Sequence, residues 1–132
     1  SGAKVDMVGW CVSRAETASF SSEDLEEIRS IGTPLATLAV DILSGLRRFL
    51  RAVVGINRVD LPDPFAMAMA IDQDVAKEWL ERHVEVDTGA GPSRGATIID
   101  HLGITGRDAN ARIAQHADKV ALMTMLRRAL TV

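Results

Sequence analysis

Asp63 stands between two prolines in Leu61-Pro62-Asp63-Pro64 and is followed by the uninterrupted apolar run Phe65-Ala66-Met67-Ala68-Met69-Ala70-Ile71. A carboxylate there has two chemical uses. Asp63 can act as a helix N-cap, accepting backbone N–H groups that have no partner at a helix start, with Pro64 at the first helical position, where a missing N–H costs nothing. It can equally give its oxygens to a hard cation. The other candidate groups are weaker. Asp72 and Asp74 form an Asp-x-Asp, but two carboxylates fall far short of the six to eight oxygens of a calcium shell and read better as a solvated helix end. Cys11 is the sole cysteine, lies in an apolar run with no neighbouring histidine to activate it, and reads as a small buried thiol. His83, His101 and His116 show neither an i, i+4 spacing nor a cysteine neighbour, which argues against zinc. Gly89-Ala90-Gly91-Pro92 lacks the following helix that a phosphate cradle needs. No catalytic side chain is assigned on these patterns.

The elements that must position Asp63 follow from periodicity and punctuation. The run after Pro64 has no polar face and predicts a helix covered on every side. Residues 5–12 carry apolar groups on both faces of an extended chain, the pattern of a central strand, expected to pair with polypeptide that this chain does not contain or, alternatively, with later strands of the same chain. A polar connection over residues 13–19 leads to a helix that starts at the N-cap Ser21, with Glu23 and Asp24 at its positive end and Phe20 and Leu25 as a hydrophobic staple, and that stops near Gly32. Thr33-Pro34 opens the longest helix, in which Leu35, Leu38, Ala39, Ile42, Leu43, Leu46, Phe49, Leu50 and Val53 predict one buried stripe ending by Gly55. Arg47, Arg48 and Arg51 near its end suit the negative pole of the helix dipole and read as solvated. Residues 79–87 alternate as a half-buried strand, and the glycine-rich turn joins it to a second strand over residues 95–100, giving a hairpin. Residues 110–116 offer a third strand, and Asp118 caps a last helix with the stripe Leu122, Met125, Leu126 and Ala129.

Length and composition set the bounds. The chain has 132 residues, 47% hydrophobic and 25% charged, which predicts one globular domain over residues 1–132. A net charge of -3, with three phenylalanines and two tryptophans, supports no nucleic-acid partner. No apolar run reaches the length of a membrane span, and no secretory signal is present, so a cytoplasmic location without membrane attachment is expected, in keeping with a lone cysteine.

Four segments, in order, resemble the inosine-uridine-preferring nucleoside hydrolases. Ser1-Gly2-Ala3 through Met7-Val8-Gly9 looks like the family's SGAP-x-x-MVG strand. Ser21-Ser22-Glu23-Asp24-Leu25 with Gly32-Thr33-Pro34 is similar to its T-P-E-D-L helix and G-T-P turn, and Arg94-Gly95-Ala96-Thr97 to its R-G-x-T strand. Pro62-Asp63-Pro64 keeps the Asp-Pro of its His-Asp-Pro motif. The start at Ser1 reads as native sequence exposed by truncation or cleavage, or as an expression scar. The resemblance implies an α/β fold, the C-terminal part of the nucleoside hydrolase fold, with a buried helix, a long amphipathic helix, mixed strands and a β-hairpin. It implies hydrolysis of the N-glycosidic bond of ribonucleosides in the complete protein, a nucleoside substrate, a homo-oligomer, and a catalytic Ca2+ for which Asp63 is one ligand.

The departures from the family pattern matter equally. The D-x-D-x-x-x-D-D motif that supplies most ligands is absent, so the chain by itself is expected to be inactive. Pro62 replaces the histidine that assists the leaving base. The long helix resembles the family's mobile flap beside the substrate cleft, which would place Arg47, Arg48 and Arg51 at its border, yet the flap tyrosines have no counterpart, because the chain contains no Tyr. Substrate-binding residues stay unassigned. The rival expectation is a non-catalytic oligomerisation or regulatory module of the same fold.

Overall fold

A computed structural model describes residues 4–15 and 17–131; the Ser1-Gly2-Ala3 motif lies outside them. Strand β1 is only Asp6–Met7, and after an extended Gly9 the chain turns into a short helix, α1, Trp10–Arg14. Helices α2 (Ser22–Arg29), α3 (Pro34–Val54) and α4 (Pro62–Ile71) follow. After a single 3-10 turn at Gln73–Val75 come β2 (Ala76–Arg82), β3 (Val84–Val86), β4 (Thr97–Ile99), β5 (Ala111–Ala117) and helix α5 (Lys119–Leu130).

Local signals placed most helix ends. Ser21 and Asp24 form a reciprocal capping box, the Ser21 N–H donating to Asp24 Oδ2 at 2.6 Å and the Asp24 N–H to Ser21 Oγ at 3.4 Å. Thr33 accepts from the Ala36 N–H, and α3 ends at Gly55 with φ 77°, a left-handed residue that glycine adopts without a Cβ penalty. Asp118 accepts from the Val120 and Ala121 N–H groups. Asp72 accepts from the Asp74 N–H, so this pair of aspartates closes the 3-10 turn.

The main sheet has the order β1-β5-β2, with β1 parallel and β2 antiparallel to β5; β3 and β4 pair antiparallel as a separate hairpin. The central strand is therefore β5, and residues 5–12 do not form one. β1 sits at an edge and its outer side pairs with nothing among the described residues. Beyond it, a helical turn lets Ser13 donate from Oγ to the Trp10 carbonyl and buries Val12 and Ser13 while exposing Trp10 and Cys11. Cys11 is thus exposed, against the expectation of a buried thiol. A strand alternates faces every residue and a helical turn does not, so the change of geometry reassigns each side chain.

The core gathers Phe20, Leu25, Ile28, Val40, Val59, Phe65, Val75 and Leu122. Phe20 and Phe65 meet edge to face, with ring centroids 6.5 Å apart. Two helices are less covered than their sequences predict. In α3 only Ala36 and Val40 are fully buried, whereas Leu35, Leu38, Ile42, Leu46, Phe49 and Val53 are 43–65% exposed. In α4, Phe65, Ala68 and Met69 are buried, but Met67 is 62% and Ile71 70% exposed. Each helix is apolar on more surface than this chain covers.

Candidate functional site

The backbone around Asp63 is held from two directions. Phe20 and Val59 form an isolated antiparallel bridge, the Phe20 N–H donating to the Val59 carbonyl at 2.8 Å and the Val59 N–H to the Phe20 carbonyl at 3.0 Å. That bridge fixes the chain entering α4, and Arg14 lies 3.7 Å from the Asp60 carboxylate beside it. Phe65, fully buried, pins the first turn to the core.

Asp63 does not cap this helix. The N-cap is Leu61, whose side chain has nothing to accept with, and Pro62 rather than Pro64 is the first helical residue. Proline at Pro62 sets a helical φ two residues earlier than the expected start at Pro64, so Asp63 and Pro64 both fall inside the first turn, where no N–H partner within the helix is needed. The Asp63 side chain is consequently left without a structural task. It lies on an exposed residue and, among the described residues, has no hydrogen-bond or ion-pair partner. The positive end of α4 still favours its negative charge. Three and four residues further on are Ala66 and Met67, then Ala70 and Ile71, all exposed, so the carboxylate heads the open apolar face of the helix.

Calcium takes six to eight oxygens, several from carboxylates. Among the described residues no three His, Cys, Asp or Glu side chains gather where a metal could be held. The donors of this chain alone do not fit that ion.

An open cavity of about 300 Å³ lies elsewhere, lined in part by Arg82, His83, Asp100, His101 and Arg107, and it does not include Asp63. His83 Nδ1 is 2.9 Å from the Asp108 carbonyl and its Nε2 3.5 Å from Glu85, which also pairs with Arg107. Asp100 accepts from Thr105 Oγ1 and from the N–H groups of Ile104 and Thr105, and these bonds lower its pKa, those from the Thr105 hydroxyl most. The polar groups here hold the loop after β4. The sequence reading missed this cluster, since its members are up to 25 residues apart and no spacing rule connects them. Arg47 donates to Asn57 Oδ1 at 3.1 Å, while Arg48 and Arg51 are exposed without an ion-pair partner among the described residues. Among those residues no helix is long and apolar enough to cross a membrane.

Comparison with known proteins places this arrangement. A family model described as inosine-uridine preferring nucleoside hydrolase matches residues 1–124. The pyrimidine-specific ribonucleoside hydrolase RihA of Enterobacter sp. (strain 638) is 27% identical over 127 residues, which is 96% of this chain and 40% of that protein. The enzyme of the same name from Salmonella typhimurium aligns with the same identity and coverage. Among solved structures, a purine-preferring ribonucleoside hydrolase from Gardnerella vaginalis superposes with a TM-score of 0.77 at 23% identity, covering 98% of this chain and 42% of that one. The plant nucleoside hydrolase PpNRh1 gives 0.79 at 19% identity, with coverage of 99% and 42%. The chain spans about two-fifths of the length of the relatives it matches.

Proposed function

Because the chain belongs to the inosine-uridine preferring nucleoside hydrolase family, we propose that it is the C-terminal portion of a calcium-dependent ribonucleoside hydrolase, which splits the N-glycosidic bond to free base and ribose once the rest of the fold is in place. The observation that carries this reading is the unpartnered Asp63 carboxylate at the head of the open face of α4. A helix cap would have used up those oxygens. Instead they are held on a rigid element, beside apolar surface that further polypeptide would cover. Asp63 supplies one metal ligand in this reading, and the chain on its own lacks the remaining donors and is inactive. Pro62, where the family resemblance has a histidine, can neither donate a proton nor stack, so help to the leaving base comes from elsewhere in the completed site. Base preference is left open, as the relatives named above are pyrimidine-specific in one case and purine-preferring in another.

The test measures base release from uridine and inosine, with and without calcium, by the 132-residue chain and by the longer polypeptide read from the coding sequence upstream of Ser1. The expected result is calcium-dependent release by the longer protein only, with Asp63→Asn lowering kcat/KM by roughly 100-fold or more, since even indirect partners of a metal are worth about 10- to 100-fold. Full activity in Asp63→Asn would overturn the ligand assignment. A longer protein that hydrolyses neither nucleoside would favour the non-catalytic module.

A further inference from the structure

Arg47, Arg48, Arg51 and Arg58 lie around the end of α3 and on the connection from Gly55 to Leu61 that leads into α4. At 100° per residue the three helical arginines fall within about 100° of arc, so one side of the helix end is cationic. Among the described residues no carboxylate answers that charge. Of the aspartates flanking the cluster in sequence, Asp41 is taken by Arg29 at 2.8 Å and Asp60 by Arg14 at 3.7 Å, and Asp63 pairs with none of the four. Arg48 and Arg51 are exposed, and Arg58 is half-buried with no hydrogen-bond or ion-pair partner among the described residues. Arg47 donates from Nη1 to Asn57 Oδ1 at 3.1 Å, tying the helix end to the connection, yet its Nε is shut off from solvent and has no acceptor. The negative pole of α3 accounts for Arg51, in the last turn, but fades before Arg47 and Arg48. Arg51 is four residues from Arg47 and three from Arg48, spacings at which like charges on a helix repel. The buried Nε without an acceptor adds to the cost.

Unfavourable charges gathered at one point, with no gain inside the chain, mark a place kept for an outside anion. We propose that the cluster binds a phosphomonoester, and that the substrate is accordingly a ribonucleoside 5′-monophosphate; the substrate assignment rests on the hydrolase reading above. The group matches the residues, since a phosphomonoester carries about -1.5 to -2 charges at neutral pH and guanidinium forks grip it with paired hydrogen bonds. The place matches as well. Arg58 stands five residues before Asp63, so their Cα atoms are at most about 18 Å apart, and a sugar held at Asp63 carries its 5′ substituent within reach of the arginines. The phosphate takes no part in the bond change. Water adds its hydroxyl to C1′, the bond from C1′ to the base nitrogen breaks, the base leaves with the proton, and ribose 5-phosphate is the other product. With a net charge of -3 the chain as a whole repels a polyanion, so the cluster suits a small phosphate ester rather than a nucleic acid.

Two measurements separate the site from the reaction. The first titrates ribose 5-phosphate, inorganic phosphate and ribose into the 132-residue chain by calorimetry. Ribose 5-phosphate is expected to bind and ribose to give no heat, and Arg48→Ala, Arg51→Ala and Arg58→Ala are each expected to weaken the ester about 10-fold, with circular dichroism confirming that each variant folds. The second measures kcat/KM of the longer polypeptide, with calcium, on uridine 5′-monophosphate and on uridine. The monophosphate is expected to be preferred about 10-fold or more, and the three variants to lower that ratio. A chain that binds neither phosphate nor the ester, or binds them equally well in all three variants, would overturn the site. A longer polypeptide that prefers uridine while the chain still binds phosphate would overturn the substrate assignment and leave the cluster to free phosphate. If the longer polypeptide hydrolyses neither compound while the ester binds and the variants weaken it, the hydrolase reading fails and the phosphate site stands.

Discussion

Helices α2 and α4 each carry an aspartate in the first turn, and the two are treated in opposite ways. Asp24 has a side chain only 16% exposed; it accepts the Ser21 N–H and the Lys119 ammonium, the latter at 2.9 Å, so it both closes the capping box and ties α5 to α2. Burial raises its pKa, but the Ser21 N–H and Lys119 outweigh that and the net shift is downward from 3.8. Asp63 has the same charge, the same helix-dipole environment and no partner among the described residues. The difference lies in what reaches each carboxylate: Asp24 is taken by the Ser21 N–H and by Lys119 from another helix, and Asp63 by neither kind of group among the described residues. The covered end of α2 receives Lys119 from α5, whereas among the described residues no side chain pairs with the carboxylate at the mouth of α4.

The contrast between covered and open surface is sharpest within α4 itself. Phe65→Ala removes a ring that is fully buried and meets Phe20 edge to face, and is expected to cost about 3–5 kcal/mol, read as a loss of cooperative thermal unfolding or a large fall in Tm. Met67→Ala, two residues away on the open face, is expected to stay within about 0.5 kcal/mol. Equal effects would mean that the two faces of α4 are not distinct. The aspartates come next. Asp24→Ala is expected to lose about 1–2 kcal/mol in chemical denaturation, from the capping box and the Lys119 contact together, while Asp63→Ala changes stability by less than about 0.5 kcal/mol. A marked loss in Asp63→Ala would reveal a structural partner and remove the basis for assigning it to a ligand.

The smallest effect is in pH dependence. Because the folded pKa of Asp24 is depressed, its contribution is fully present above the unfolded value near 4 and is lost as pH falls through the folded value. Asp24→Asn should therefore flatten the fall of Tm as the pH drops below about 4. Part of that fall should remain, since Asp118, held chiefly by the Ala121 N–H, and Asp6, held chiefly by the Arg112 side chain, are also shifted downward.

Much of this was legible in the residues. Ser21, Thr33-Pro34 and Asp118 marked three helix starts, because a cap is made by side chains within three residues of the N–H groups they satisfy. The hairpin of β3 and β4 was legible from its glycine-rich turn. Residues 10–14 were not, because Trp-Cys-Val alternates like a strand until the Ser13 hydroxyl folds back on Trp10. Asp63 was read as a cap because Asp-Pro carries that signal, and Pro62 moved the helix start two residues earlier. The Arg107, Glu85 and His83 cluster was invisible because its members come from separate segments that meet only in the folded chain.

By itself, then, the sequence determined where helices begin, where the chain turns, and which family pattern it follows, since these depend on neighbours a few residues away. Tertiary structure alone decided which of the apolar stripes on α3 and α4 is buried, and whether Asp24 or Asp63 keeps its carboxylate for another purpose. Periodicity reports that a surface is apolar, and residue type reports that a group is charged. What covers the one and neutralises the other is set by elements distant in sequence, and Met67 and Ile71 of α4 have no such cover among the described residues.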